Sequence, residues 1–220
     1  MKIKAIIFGS TGMVGEGVLF ECLRNSEVEE VLVINRHLVG ISHPKLKECV
    51  HADFFNLAPI ETQLSGYNAC YFCLGISSFG ISKEEYKHIT YDLTFYIGQL
   101  LAKINPDMTF YYVSGAGTDS SEHGRLTWAR VKGRTENDLM HMFKNSYMFR
   151  PAFMRASPGQ KNLKLSYKLL AWIYPVGRAI YPAGFCTLRE VGQAMINATF
   201  EGYSKQIIDV KDIIKLAKKR

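Results

Sequence analysis

Apolar positions along the chain fall into short continuous runs separated by stretches with helical spacing. Ile3-Lys4-Ala5-Ile6-Ile7-Phe8 reads as a first strand, and Val14, Val18, Leu19 and Cys22 recur at the period of a helix over 14–23. Val31-Leu32-Val33-Ile34 predicts a second strand, 46–51 a third that carries charges, and 69–74 a fourth. Ser82-Lys83-Glu84-Glu85 has the form of a capping box, in which hydroxyl and carboxylate satisfy each other's free amides. The helix it opens should run to about Lys103 and stop before Pro106. A fifth strand over 109–114, a helix over 125–142 and a sixth strand over 147–150 follow, the last ending at Pro151. A second capping box, Thr187-Leu188-Arg189-Glu190, opens another helix; 207–210 is a last strand and 211–220 a basic helix. Strands alternating with helices predict an α/β fold, a doubly wound parallel sheet with helices on both faces.

Length and composition narrow this picture. A chain of 220 residues with 47% hydrophobic side chains suits one domain over 1–220, with a small lobe over 152–187 covering the substrate. The net charge of +7 favours anionic partners without choosing among a phosphorylated cofactor, a membrane surface and nucleic acid. The five cysteines, Cys22, Cys49, Cys70, Cys73 and Cys186, are odd in number and irregularly spaced, which fits a reducing compartment. Cys70 and Cys73 form a CxxC inside an apolar run, and read as buried strand thiols. His88, His123 and His141 lack ligand spacing, so no metal is expected. With no charged-then-apolar leader and no membrane-length apolar stretch, the chain is expected in the cytoplasm.

The chemistry is concentrated in Gly9-Ser10-Thr11-Gly12-Met13-Val14-Gly15, directly after the first strand. In that place Gly9 permits a tight exit, Gly12 lets backbone approach a pyrophosphate, and Gly15 lets the helix pack closely. The helix N-terminus then offers free amides and a partial positive charge to phosphates. This context predicts a Rossmann-type dinucleotide site. An NAD site usually carries Asp or Glu after the second strand, to bind the ribose 2′-hydroxyl. Here the strand ends in Ile34-Asn35-Arg36-His37. Arg36 suits a 2′-phosphate through a forked contact, so NADP is favoured over NAD.

With these residues in view, the chain resembles the atypical short-chain dehydrogenase/reductases. It is most similar to the small NAD(P)-binding proteins grouped with NAD-dependent epimerase/dehydratases and with Tat-interacting-protein-like oxidoreductases. The resemblance covers most of the chain. It rests on the glycine turn, Asn35-Arg36, Asp53-Phe54, Cys73-Leu74-Gly75, Tyr112-Val113-Ser114-Gly115-Ala116, Val131-Lys132-Gly133 and Phe149-Arg150-Pro151. It implies that Asp53 and Phe54 lie beside the adenine, and that Cys73, Leu74 and Gly75 pass under the cofactor by backbone. It further implies that Lys132 binds the nicotinamide ribose, that Arg150, Pro151 and Ala152 border the nicotinamide, and that Ser114 orients a substrate carbonyl.

The family places its acid/base tyrosine four residues before the lysine, and that position here is Trp128. An indole N–H donates a hydrogen bond but releases no proton at useful pH. Three readings stay open at this point: an oxidoreductase using another proton donor, such as Tyr86, Tyr91, His123 or water; one acting on a substrate that needs no such acid, such as a quinone or electron-poor alkene; or a cofactor-binding sensor without turnover. The loop 115–121 follows the fifth strand, where crevice loops commonly line substrate sites.

Residues 152–187 hold no acidic side chain but carry Arg155, Lys161, Lys164, Lys168 and Arg178 among Tyr167, Trp172, Tyr174 and Tyr181. Over 163–181 two short helices or a helix and a turn are expected. The segment reads first as the lobe over the cofactor, and otherwise as a peripheral membrane or protein contact through 161–181. No nucleic-acid motif is present, so the expected partner is a small-molecule substrate, and the expected assembly a monomer or homodimer.

Overall fold

The computed structural model describes residues 2–163 and 172–219. Seven strands form one sheet: β1 (Ile3–Phe8), β2 (Val28–Asn35), β3 (Leu46–Val50), β4 (Ala69–Phe72), β5 (Thr109–Val113), β6 (Asn145–Arg150) and β9 (Ile207–Asp209). Their order is β3-β2-β1-β4-β5-β6-β9, and every pairing is parallel. The order reverses between β1 and β4, which opens a crevice at the carboxyl ends of those strands.

Period-two burial divides the sheet between two cores. Ile3, Ala5 and Ile7 face one cluster with Val18, Leu19 and Cys22 of α1 (Met13–Arg24), together with α6 (Leu188–Glu201) and α7 (Val210–Ala217). Ile6 and Phe8 face the other, with Ile97 and Leu101 of α3 (Leu93–Ile104) and Leu139 of α4 (Thr127–Met142). Both faces of a parallel sheet must be covered, which is why its strands read as continuous apolar runs rather than alternating ones.

Several boundaries differ from the sequence expectation. β4 ends at Phe72, although the Cys73 N–H still bonds the Phe8 carbonyl at 3.0 Å, and β5 ends at Val113, one residue before Ser114. The helix expected over 82–103 is α2 (Lys83–Lys87), a π-helical turn (His88–Asp92) and α3 in succession. Ser82 accepts the Glu85 N–H at 3.0 Å, while at Thr187 and Glu190 both bonds of a capping box are made. A 3-10 helix (Ala58–Leu64) and two short strands had no sequence signal.

Those strands, β7 (Phe153–Arg155) and β8 (Phe185–Thr187), pair in parallel as a separate sheet beyond β6. Between them lies α5 (Ile173–Ile180). Its Gly177 packs on the Phe185 ring, where a Cβ would stand 2.2 Å from ring carbon. The expectations for Lys164, Tyr167, Lys168 and the Leu169-Leu170 pair lie outside the described residues.

Exposed apolar side chains are unevenly placed. Among the described residues the ten exposed large ones are Leu38, Val50, Phe55, Ile76, Phe79, Leu126, Trp172, Val176, Ile180 and Tyr181. Each lies at or beyond the carboxyl end of a strand of the main sheet, before the next long helix. The surfaces of α1, α3, α6 and α7 contribute none.

Candidate functional site

The glycine turn is built by contact rather than by flexibility alone. Gly9 has φ +83°, and a Cβ there would lie 2.8 Å from the Leu74 backbone. At Gly15 a Cβ would stand 2.2 Å from the Gly9 carbonyl oxygen, so only glycine lets α1 seat against the turn. Gly12 is the N-cap of α1 with no side-chain cap, which leaves the first-turn amides facing the crevice. Ser10 is buried; its hydroxyl lies 2.8 Å from Asn35 Nδ2 and 3.0 Å from Oδ1. Asn35 therefore ties the turn to the end of β2, a role no sequence signal had assigned to it.

The crevice holds a cavity of about 740 Å³. Thr11, Gly12, Met13 and Val14 line one side, Cys73, Leu74 and Gly75 the floor, and Ser114, Lys132, Pro151 and Ala152 the far side. Eleven of the residues marked by sequence thus converge on one space. Gly9, Ser10 and Gly15 shape it from behind. Arg36, Asp53, Phe54, Trp128 and Arg150 do not line it.

Those five have other surroundings. Arg36 is exposed just past β2. Asp53 is exposed and its Oδ1 accepts the Phe55 N–H at 2.9 Å, while Phe54 meets Phe8 edge-on. Trp128 packs on Gly117, where a Cβ would stand 3.1 Å from its ring. Arg150 makes a buried ion pair with Glu136, with Nε 3.0 Å from Oε1. Glu136 is fully buried and also accepts the Ser114 hydroxyl at 2.5 Å. That hydroxyl has a further acceptor in the Phe149 carbonyl at 3.2 Å.

Lys132 reaches the cavity from α4 and donates to the Ser114 carbonyl oxygen. Burial pulls its ammonium down from the ordinary lysine range to about 8, against the pull of Glu136, whose negative charge favours the protonated form. The Cys73 thiol is pushed up to about 12 by burial, and Cys70 is raised well above the usual range by the same cause, so both stay protonated thiols. Of the other proton donors considered, Tyr86 is buried, Tyr91 donates to Asp138 at 2.6 Å and His123 is exposed; none lines the cavity. No cluster of three potential metal ligands occurs among the described residues.

The roof of the cavity comes from the segment 152–187, but its tie to Glu16 had no signal in the sequence. Lys161, Asn162 and Leu163 line it, held by Glu16 in the first turn of α1. The two carboxylate oxygens of Glu16 accept the N–H groups of Lys161 and Asn162, each at 2.9 Å. Gln160 adds a bond to the Met13 carbonyl at 2.8 Å. Glu16 looks in sequence like an ordinary first-turn acid, and its partners are some 145 residues away. A second hollow of about 550 Å³ adjoins the first, sharing Ala116 and Ala152.

This parallel sheet, with its turn, uncapped helix and crevice, gives the chain a Rossmann-type α/β fold. Among solved structures it is similar to the Helicobacter pylori ADP-L-glycero-D-manno-heptose-6-epimerase (TM-score 0.69, 15% identity, covering 99% of this chain and 82% of that one). It is also similar to the Bordetella bronchiseptica enzyme WbmG in complex with NAD (TM-score 0.69, 12% identity, 99% and 77% covered). The dTDP-glucose 4,6-dehydratase DesIV of Streptomyces venezuelae, with NAD and TYD bound, gives a TM-score of 0.68 at 13% identity, with 94% and 75% covered.

By sequence the chain is similar to Protein FMP52-1, mitochondrial, of Scheffersomyces stipitis (24% identity, covering 99% of this chain and 100% of the relative). Protein FMP52-2, mitochondrial, of the same organism matches at 25% identity over the whole of both chains. No protein-family profile matches. The cytoplasmic expectation is corrected here, because these full-length relatives are named mitochondrial proteins. That expectation rested on a missing leader and a missing span, and neither feature identifies a compartment. Among the described residues no helix is long and apolar enough to cross a membrane.

Proposed function

We propose that this chain binds NADP(H) and acts as an oxidoreductase on a small apolar or aromatic carbonyl or quinone-like compound. The observation that carries the reading is the convergence of the glycine turn, the bare α1 N-terminus and a lysine of lowered pKa on one cavity. The turn fits a pyrophosphate: its backbone is held tight by Gly9 and Gly15, no side chain caps α1, and Thr11 and Gly12 face the space. WbmG and DesIV, of like fold, are described with NAD. Arg36 supports the phosphorylated cofactor, since its guanidinium stands exposed where the adenosine ribose of such folds ends.

The nicotinamide supplies or accepts the hydride when bound. Lys132 takes the place of the absent tyrosine as the group that hands a proton to the substrate oxygen. At neutral pH it is protonated, yet at about 8 it releases its proton far more readily than an ordinary lysine. Met154, Leu163 and Ile76 give the cavity apolar walls that suit an apolar substrate.

A second reading, cofactor binding without turnover, is favoured by one specific observation. The Ser114 hydroxyl proton is engaged by Glu136 and the Phe149 carbonyl, and Trp128 stands off the cavity, so neither usual position offers the substrate a free proton.

Fluorescence titration with NADPH and NADH tests the first half. NADPH should bind tighter by about ten-fold, the size of one forked charge contact, and Arg36→Ala should erase the difference. Equal affinities refute the preference, and no binding of either nucleotide overturns both readings. A panel of carbonyls and quinones with NADPH tests the second half, with turnover expected and lost in Lys132→Met. Tight binding with no turnover across the panel establishes the second reading.

A further inference from the structure

We infer that the carboxyl edge of the sheet is a docking surface for an anionic lipid bilayer, with α5 as its main contact and the mouth of the cavity turned toward the membrane. This docking is independent of whether the chain turns over a substrate. Three observations carry it.

The first is confinement. All the exposed large apolar side chains among the described residues lie on this edge, and Phe79, Ile180 and Trp172 are 93%, 79% and 73% exposed. Scattered single apolar residues need no explanation, but collection on one edge marks an interaction face.

The second is the shape of α5. Trp172, Val176 and Ile180 recur every four residues and so share one exposed face. The opposite face is spent on the protein: Tyr174 is buried, Gly177 sits on Phe185, and Arg178 pairs with Glu190 at 2.6 Å. The apolar face is therefore presented by a helix already anchored, and it is not a spare core face.

The third is charge. The segment 152–187 contains no acidic side chain in a chain of net charge +7, and Arg155 and Lys161 stand exposed beside α5 and the cavity. Aromatic and aliphatic side chains flanked by bases are what an anionic bilayer surface takes up: rings and branches settle at the headgroup boundary while basic groups meet lipid phosphates. The acid-free segment complements a surface that is negative throughout, which an anionic bilayer presents without a matching fold.

Co-sedimentation of the full chain with phosphatidylcholine vesicles containing phosphatidylserine tests the inference. Binding is expected, weaker by about ten-fold on phosphatidylcholine alone and reduced by salt. The variant Trp172→Ser/Val176→Ser/Ile180→Ser should lose at least about ten-fold of it while keeping its far-ultraviolet dichroism, and Phe79→Ser alone should weaken it less. In a Trp128→Phe background Trp172 is the sole tryptophan, and its emission should shift to the blue on adding vesicles. No sedimentation with either vesicle overturns the inference, as does unchanged binding by the triple variant. A concentration-dependent dimer that the triple variant abolishes, without vesicle binding, would instead assign the face to a second copy of the chain.

Discussion

Replacing Glu136 with glutamine isolates the polar knot behind the cavity. The carboxylate is fully buried and meets the Ser114 hydroxyl at 2.5 Å and both Nε and Nη2 of Arg150, whose side chain is 15% exposed. Glutamine keeps the size and one acceptor but takes from the largely buried guanidinium its one contacting counter-charge, leaving only the more distant Asp209 and Asp119. Removing one member of a buried pair costs about 3–5 kcal/mol, and the retained amide places Glu136→Gln near the lower end, about 3 kcal/mol. For a domain of this size that lowers the Tm by about 6–12 °C. Calorimetry and urea melts of Glu136→Gln, Arg150→Met and the double variant form the assay. The double variant should recover more than about 1.5 kcal/mol relative to the sum of the singles, because it buries no lone charge. The same charge holds Lys132 up, so in Glu136→Gln the lysine should titrate below about 8, read from its side-chain NMR shifts against pH. A loss under about 1 kcal/mol for Glu136→Gln, or strict additivity in the cycle, would show that the knot contributes little and refute the reasoning.

Gly15→Ala should abolish nucleotide binding and cost more than about 2 kcal/mol, since its Cβ would stand 2.2 Å from the Gly9 carbonyl; titration and melting check both. Lys132 binds its proton less well folded, at about 8, than unfolded, at 10.5, so stability should rise with pH between those values as the folded chain sheds a proton the unfolded chain retains. The gain is at most about 3 kcal/mol, and urea melts from pH 7 to 10 should show it in the parent chain and not in Lys132→Met. Glu16→Ala should free the roof, since two charge-assisted bonds to backbone N–H groups are lost, each worth about 1.5–3 kcal/mol. Limited proteolysis should then cut within 157–163 at least about ten-fold faster, and unchanged cleavage would show that the roof is held by other contacts.

The core elements and the glycine turn were legible because they depend on neighbours in sequence. The apolar run of β1, the glycines at 9, 12 and 15, and the Thr187 capping box each state a local requirement that one residue type satisfies. The boundaries that shifted were set by pairing: β4 stops at Phe72 because its partner strand ends at Phe8, just before Gly9, and nothing in an apolar run says where its last partner lies. β7 and β8 are three residues each and exist only through each other, 32 residues apart, so neither has a period to read.

What the sequence determined by itself is the alternation of strand and helix, the place of the glycine turn and the absence of a tyrosine at Trp128. Tertiary structure alone decided how the remaining polar groups are used. It buried Glu136 against Arg150, marked for the nicotinamide, and against Ser114, marked for the substrate carbonyl. It tied Ser10 to Asn35 and laid residues 160–163 across α1 on Glu16. It also gathered the exposed apolar side chains on one edge, because in an all-parallel sheet every loop leaving a strand emerges on the same side. Chain-distant polar groups select one another by burial and charge, and that selection has no local pattern to announce it.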